Sequence, residues 1–214
     1  MRLPVFLFLL FFSLPVAAQT QLGARLGVNA ATVTGEFSTS DDARVRYGFV
    51  GGLTLTFPLR HSFVLRGEAL YTQKGFTTDE ATVVGAGGAP VSAASVTFEL
   101  TTLDVPVVLV YEVPASRDLG VEVFGGPYLG FELSERLRVE PDLVAVSEES
   151  DLFRGTDLGF VVGVGVSFAA WGGRPSVGIR YSRSLSDQLE ENASALSDAA
   201  AYNSVVSFLV GLRL

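Results

Sequence analysis

The sequence predicts an all-β fold, an eight-stranded antiparallel up-and-down transmembrane β-barrel. Three observations predict it. Beyond residue 20 the side chains alternate with a period of two between apolar and polar or small, which is typical of strands with two different faces. Eight segments show this alternation, and each is long enough to cross a bilayer as a tilted strand of about 9 to 11 residues. The connections between the segments are alternately long and short, as in an up-and-down barrel.

The chain begins with a segment that is typical of a secretory signal peptide, residues 1–18. Arg2 supplies the positive start, Val5 to Phe12 form an apolar run, and Val16-Ala17-Ala18 offer small residues for cleavage. The apolar run is too short for a membrane-spanning helix. We therefore predict cleavage after residue 18 and a barrel domain that covers residues 19–214.

The predicted strands follow in order, and the last one shows the alternation best. Val206, Phe208 and Val210 fall on one face of it, whereas Ser207 and Gly211 fall on the other. The sixth strand repeats this pattern, with large apolar residues alternating with glycine and other small ones. An even number of strands permits closure into a barrel. The eight strands are predicted at 21–33, 47–57, 62–76, 95–112, 119–133, 157–169, 175–185 and 204–214.

The connections predict where the barrel resides. Bacterial outer-membrane barrels have short periplasmic turns and longer external loops, so the sequence predicts the outer membrane of a Gram-negative cell, with lipid and lipopolysaccharide around the barrel. A soluble lipocalin-like barrel would require polar outward positions, unlike the apolar face from Leu158 to Phe168. The short connections are 58–61, 113–118 and 170–174, and the long ones are 34–46, 77–94, 134–156 and 186–203.

The composition agrees with this location and excludes several functions. The chain is 48% hydrophobic, yet beyond residue 20 it contains no run of about 18 apolar residues that would form a membrane helix. It has no cysteine, which excludes disulfides and thiolate-bound metals. The formal net charge of −8 argues against nucleic acid as a partner, because binding phosphates requires a basic surface.

Aromatic and acidic residues gather near the strand ends. Phe63, Tyr111 and Trp171 lie near the short connections, and Tyr47 and Tyr71 lie near the long ones, as expected of two interfacial girdles. The long connections hold fifteen acidic residues and five arginines. The acidic loops are expected to be solvated; binding of divalent cations that bridge lipopolysaccharide is the alternative.

The strand faces opposite the apolar ones define a lumen that carries both charge and many glycines. Buried charges must be paired, and an eight-stranded barrel is just wide enough for side chains, so we interpret these charges as a structural network. A narrow ion path or ligand pocket is the alternative. No cofactor or metal site is predicted. The predicted lumen charges are Arg25, Arg66, Glu68, Asp104, Glu122, Glu132, Asp157, Arg180 and Arg213.

The sequence offers little for catalysis. Its one histidine, His61, falls in a short turn, and no serine, histidine and carboxylate come together near the outer rim. Chemistry by carboxylates alone, through Glu68, Asp104 or Glu122, is the remaining route, but ion pairing accounts for these residues more simply. We predict that the protein is not an enzyme.

Four stretches of sequence resemble the PorT-like outer-membrane β-barrel family. They are LRGEALYTQKGF from Leu65 to Phe76, LDVPVVLVYEV from Leu103 to Val113, GGPYLGFEL from Gly125 to Leu133, and RYSRSLSD from Arg180 to Asp187. The resemblance covers nearly all of the mature chain. It implies the barrel architecture and, for some members, a link to protein secretion.

Together these observations predict a non-enzymatic outer-membrane barrel with a closed, charge-paired lumen and acidic extracellular loops, in a structural or surface-binding role. An accessory component of protein secretion, with envelope or secretion proteins as partners, or a narrow transport channel is the alternative.

Overall fold

The protein is a closed barrel of eight antiparallel strands, which confirms the predicted fold. The computed structural model describes residues 20–35, 43–79, 82–84, 90–92, 95–140, 155–170, 172–185 and 201–214. Around the ring the strands follow the order β1-β10-β9-β8-β7-β6-β3-β2. The strands are β1 Gln21–Gly35, β2 Ala43–Pro58, β3 Phe63–Asp79, β4 Thr82–Val84, β5 Pro90–Ser92, β6 Ser95–Pro114, β7 Leu119–Glu140, β8 Thr156–Phe168, β9 Arg174–Ser184 and β10 Ala201–Arg213.

Several strands extend further toward the long connections than the alternation predicted, and β7 extends furthest. Its pairing with β6 continues to Glu140, opposite Ser95, although the prediction ended this strand at residue 133. The register of this pair shifts between Thr101 and Thr102, so the period of two is interrupted there. In addition, β4 and β5 form a separate two-stranded sheet inside the predicted connection 77–94.

The apolar faces point outward, as the alternation predicted. In β8 the exposed fractions are 49% for Leu158 and 53% for Val164, whereas Asp157 and Val161, on the opposite face, are buried. Closure pairs the backbone of every barrel strand with both neighbours, which a chain in lipid requires. No helix among the described residues is long and apolar enough to cross a membrane.

Exposed aromatic side chains lie at both ends of the barrel wall. At the short-connection end the rings of Phe63 and Tyr111 are neighbours, with centroids 5.0 Å apart. At the other end Tyr47, Tyr71 and Phe131 are exposed. This arrangement is typical of interfacial girdles. Trp171 lies outside the described residues.

The signal peptide and most of the acidic loop residues also lie outside the described residues, at 1–19, 36–42, 80–81, 85–89, 93–94, 141–154 and 186–200. Cleavage after residue 18 and cation binding by the loops therefore stay predictions.

Candidate functional site

The lumen contains eight buried charged side chains among the described residues, four acidic and four basic. Seven of them belong to the predicted set: Arg25, Arg66, Glu68, Asp104, Glu122, Asp157 and Arg180. The other two predicted residues, Glu132 and Arg213, are half-buried. The eighth buried charge is Lys74, which the sequence reasoning did not place in the lumen.

Five of these residues form one group, which we call the arginine cluster: Arg25, Arg66, Arg180, Glu68 and Glu122. Glu68 lies at its centre and accepts hydrogen bonds from Arg66 Nε at 3.0 Å and from Arg180 Nη2. Arg25 Nη1 lies 3.5 Å from the same carboxylate. Glu122 accepts a hydrogen bond from Arg66 Nη1 at 3.0 Å and lies 3.7 Å from Arg25 Nη2. Each carboxylate therefore contacts more than one guanidinium group.

The arginine cluster joins opposite walls of the barrel. Its residues come from β1, β3, β7 and β9, which are every second strand around the ring. In that order β1 lies opposite β7, and β3 lies opposite β9. The Arg25–Glu122 ion pair and the bond between Arg180 and Glu68 therefore cross the lumen rather than follow the wall.

An aromatic ring lies among the three arginines. The guanidinium carbon of Arg66 is 4.9 Å from the centroid of the Phe124 ring, and those of Arg25 and Arg180 are each 5.6 Å away. Gly163, the cross-strand partner of Phe124, leaves space for the ring, because a Cβ atom there would lie 2.4 Å from Phe124 Cζ. Gly159 likewise makes room for Tyr128, because a Cβ atom there would lie 2.3 Å from Tyr128 Cε1.

A second group, the lysine cluster, lies nearer the long connections and consists of Lys74, Asp104, Tyr128, Asp157 and Ser184. Lys74 Nζ is 2.9 Å from Asp104 Oδ2 and 3.8 Å from Asp157 Oδ2. Asp157 accepts hydrogen bonds from the Tyr128 hydroxyl at 2.7 Å and from Ser184 Oγ at 2.6 Å. Lys74, Asp104, Tyr128 and Ser184 each come from one of the four stretches with family resemblance, so those stretches converge at one place in the lumen.

Replacing Tyr128 with phenylalanine tests the lysine cluster with little change in shape. The substitution removes the hydroxyl that donates to the buried carboxylate of Asp157. We expect the free energy of unfolding in detergent micelles to fall by about 1.5–3 kcal/mol, the usual range for a hydrogen bond to a charged group. Tyr47→Phe is the matched control, because Tyr47 is 78% exposed. Equal stability of the two variants would contradict the prediction.

The two remaining predicted residues lie toward opposite ends of the barrel and belong to neither cluster. Arg213 Nη1 donates a hydrogen bond to Glu112 Oε1, and this pair joins β10 to β6 across the short-connection end of the lumen. Glu132 lies near the long connections, where its backbone N–H donates to the carbonyl oxygen of Gly155 at 3.2 Å.

Sequence reasoning missed Lys74 and Glu112, although a signal for Lys74 was present. Lys74 lies eight residues after Arg66 and six after Glu68 in the same strand, so it shares their lumen face.

Three cavities among the described lumen side chains are lined by residues of the two clusters. They measure about 10 to 20 Å³, which is room for about one water molecule each. Within the part of the chain that the structure describes, no three histidine or carboxylate residues come together as metal ligands. His61 is exposed in the turn between β2 and β3.

Comparisons with known proteins agree with this geometry. A family model described as outer membrane protein beta-barrel domain matches residues 17–190. No curated protein matches the sequence significantly. Among solved structures, the outer membrane protein OprG from Pseudomonas aeruginosa is similar with a TM-score of 0.50 and 11% sequence identity, over 91% of this chain and 95% of OprG.

Two further solved structures are similar at lower scores. Neisserial surface protein A gives a TM-score of 0.48 at 14% identity, over 92% of this chain and 99% of its own. Ail, the attachment invasion locus protein of Yersinia pestis, gives 0.43 at 10% identity over the same shares. At these identities the likeness concerns the fold alone.

Proposed function

The chain belongs to the family of outer membrane protein β-barrel domains, and from this premise we propose a non-enzymatic structural or surface-binding role. In this proposal the lumen charges are a structural network that closes the barrel. The acidic long loops face the cell exterior, where they bind a partner or shield the surface. Residues 1–18 direct export and are removed.

The observation that carries the proposal is the pairing of charges across the lumen. In the arginine cluster the Arg25–Glu122 and Arg180–Glu68 pairs each connect opposite strands, and the Arg213–Glu112 pair crosses the barrel nearer the short connections. Each buried carboxylate in the two clusters contacts at least one cationic group, and the cavities between them hold about one water each. Such an interior leaves little room for a permeating solute.

The same pairing argues against catalysis. A carboxylate that acts as a general acid or base must reach a substrate proton. Glu68 and Glu122 instead contact arginines inside a lumen without space for a substrate, and Asp104 contacts Lys74 and Thr102 Oγ1, the latter at 2.8 Å. Altered lipid A mass in a strain that expresses the protein would contradict the non-enzymatic proposal.

Conductance in planar bilayers tests the closed lumen. We expect the pure protein to give no steady single-channel openings, because the charge pairs occupy the cross-section. The double variant Arg66→Ala/Glu122→Ala removes one ion pair and two large side chains from the lumen without a change of net charge, so it should raise the conductance above that of the unmodified protein. Steady openings from the unmodified protein would support the transport alternative instead.

We further propose that the chain belongs to the PorT-like branch of the family. The convergence of the four resembling stretches on the lysine cluster supports this, because it gives their shared residues a common packing role. A secretion accessory role is the alternative function within that branch. Loss of protein export in a deletion strain, with co-purification of an envelope protein, would favour that role over a purely structural one.

A further inference from the structure

The short-connection end of the lumen contains a small cavity with a strongly cationic lining. The cavity measures about 20 Å³, which is somewhat more than the roughly 10–15 Å³ that one water requires. Four of its lining residues are arginines and one is a glutamate. These five residues are Arg25, Arg66, Arg174, Arg213 and Glu122, and Thr56 lies among them.

Three of the lining residues each have a buried polar atom without a hydrogen-bond partner. These atoms are Thr56 Oγ1, Arg66 Nη2 and Arg174 Nε. The other nitrogens of Arg66 are used, since Nε donates to Glu68 and Nη1 donates to Glu122. Buried polar atoms are nearly always hydrogen-bonded in folded proteins, so three such atoms around one cavity indicate a site for a ligand.

The charge and chemistry of the lining select the ligand. Among the residues that the structure describes, this cavity, the arginine cluster and the Arg213–Glu112 pair together hold five arginines, at 25, 66, 174, 180 and 213, and three glutamates, at 68, 112 and 122, so positive charge is in excess there. Guanidinium N–H groups donate hydrogen bonds and cannot accept them. The unpaired atoms of Arg66 and Arg174 therefore require an acceptor, and an anion also balances the excess charge.

We propose that this cavity binds one monatomic anion of the size of chloride, held by Arg66, Arg174 and the hydroxyl of Thr56. A polyatomic anion such as phosphate is too large for about 20 Å³. The three residues come from β3, β9 and β2, so the bound anion connects β9 to the opposite wall of the barrel. Binding then stabilises the closed barrel, because a ligand that binds only the folded state raises its stability.

The first test is anion-dependent stability of the full protein, purified from outer membranes in detergent. We expect the unfolding midpoint to rise by about 2–4 °C and then saturate as sodium chloride replaces sodium gluconate at constant ionic strength. Crystals soaked in bromide should show an anomalous peak between Arg66 and Arg174. Identical midpoints in chloride and gluconate, together with no bromide peak, would mean that the cavity holds water only and would overturn the proposal.

Two variants and a control make the stability test specific. Thr56→Val removes only the hydroxyl and should raise the half-saturating chloride concentration about tenfold. Arg174→Gln removes a charge and should abolish the chloride response. Arg117→Gln, at an exposed position in the turn between β6 and β7, should leave the response unchanged. If Thr56→Val responded to chloride in the same way as Arg117→Gln and the unmodified protein, the anion would have to lie elsewhere. That result would contradict the assignment.

Discussion

Replacing Glu68 with glutamine is expected to destabilise the barrel by about 3–5 kcal/mol, the usual cost of removing one partner from a buried ion pair. The substitution keeps the size of the side chain but removes the charge that Arg25, Arg66 and Arg180 share. Glu68 is 4% exposed, so solvent does not compensate for the loss. The midpoint of urea unfolding in detergent micelles measures this change, and a semi-native gel shows the loss of the folded form.

The same substitution at Glu99 is the matched control. Glu99 pairs with Arg46 at 3.0 Å, but both side chains are more than one-fifth exposed, so we expect Glu99→Gln to cost less than about 1 kcal/mol. Arg25 and Arg66 also contact Glu122, whereas the ion pair of Arg180 is with Glu68, so adding Arg180→Met to Glu68→Gln should recover part of the lost stability. Equal stability of the Glu68→Gln and Glu99→Gln variants would show that the arginine cluster does not support the fold.

Gly163→Val should prevent formation of the folded barrel. An ideal Cβ at this position lies 2.4 Å from Phe124 Cζ and 2.5 Å from the carbonyl oxygen of Ile179. The Phe124 ring is confined among three arginines, so it cannot move without disturbing the arginine cluster. The carbonyl oxygen belongs to the neighbouring strand, so it cannot move without disturbing the barrel wall. We expect no heat-modifiable folded band for this variant after expression in the outer membrane.

Gly67 provides the control for the glycine prediction. A Cβ at Gly67 meets nothing within 4 Å, so Gly67→Ala should fold and migrate like the unmodified protein. Gly163→Ala should give an intermediate result, with a folded band that melts at lower temperature. If Gly163→Val folded normally, the Phe124 ring would not need the space that Gly163 leaves for it. That result would contradict the prediction.

Much of the architecture was predictable because side-chain direction in a strand is a local property. Successive residues point to opposite faces, so alternation alone placed Val164 outside and Asp157 inside. The same rule would have placed Lys74 in the lumen. Alternation did not predict the last seven residues of β7, 134–140. A register shift at their start interrupts the period of two, and the charged stretch 135–140 resembles a loop.

The number of barrel strands, the outward apolar faces and most of the charged residues that face the lumen follow from local alternation and connection length, so the amino-acid sequence was sufficient to predict them. Which lumen residues meet is a property of the packed barrel. Lys74 is in register with Leu100, yet its ammonium group contacts Asp104, four residues further along β6. Glu68 contacts arginines from three strands, one of them on the opposite wall. Such contacts depend on the register, tilt and closure of all eight strands, which no single segment of sequence contains.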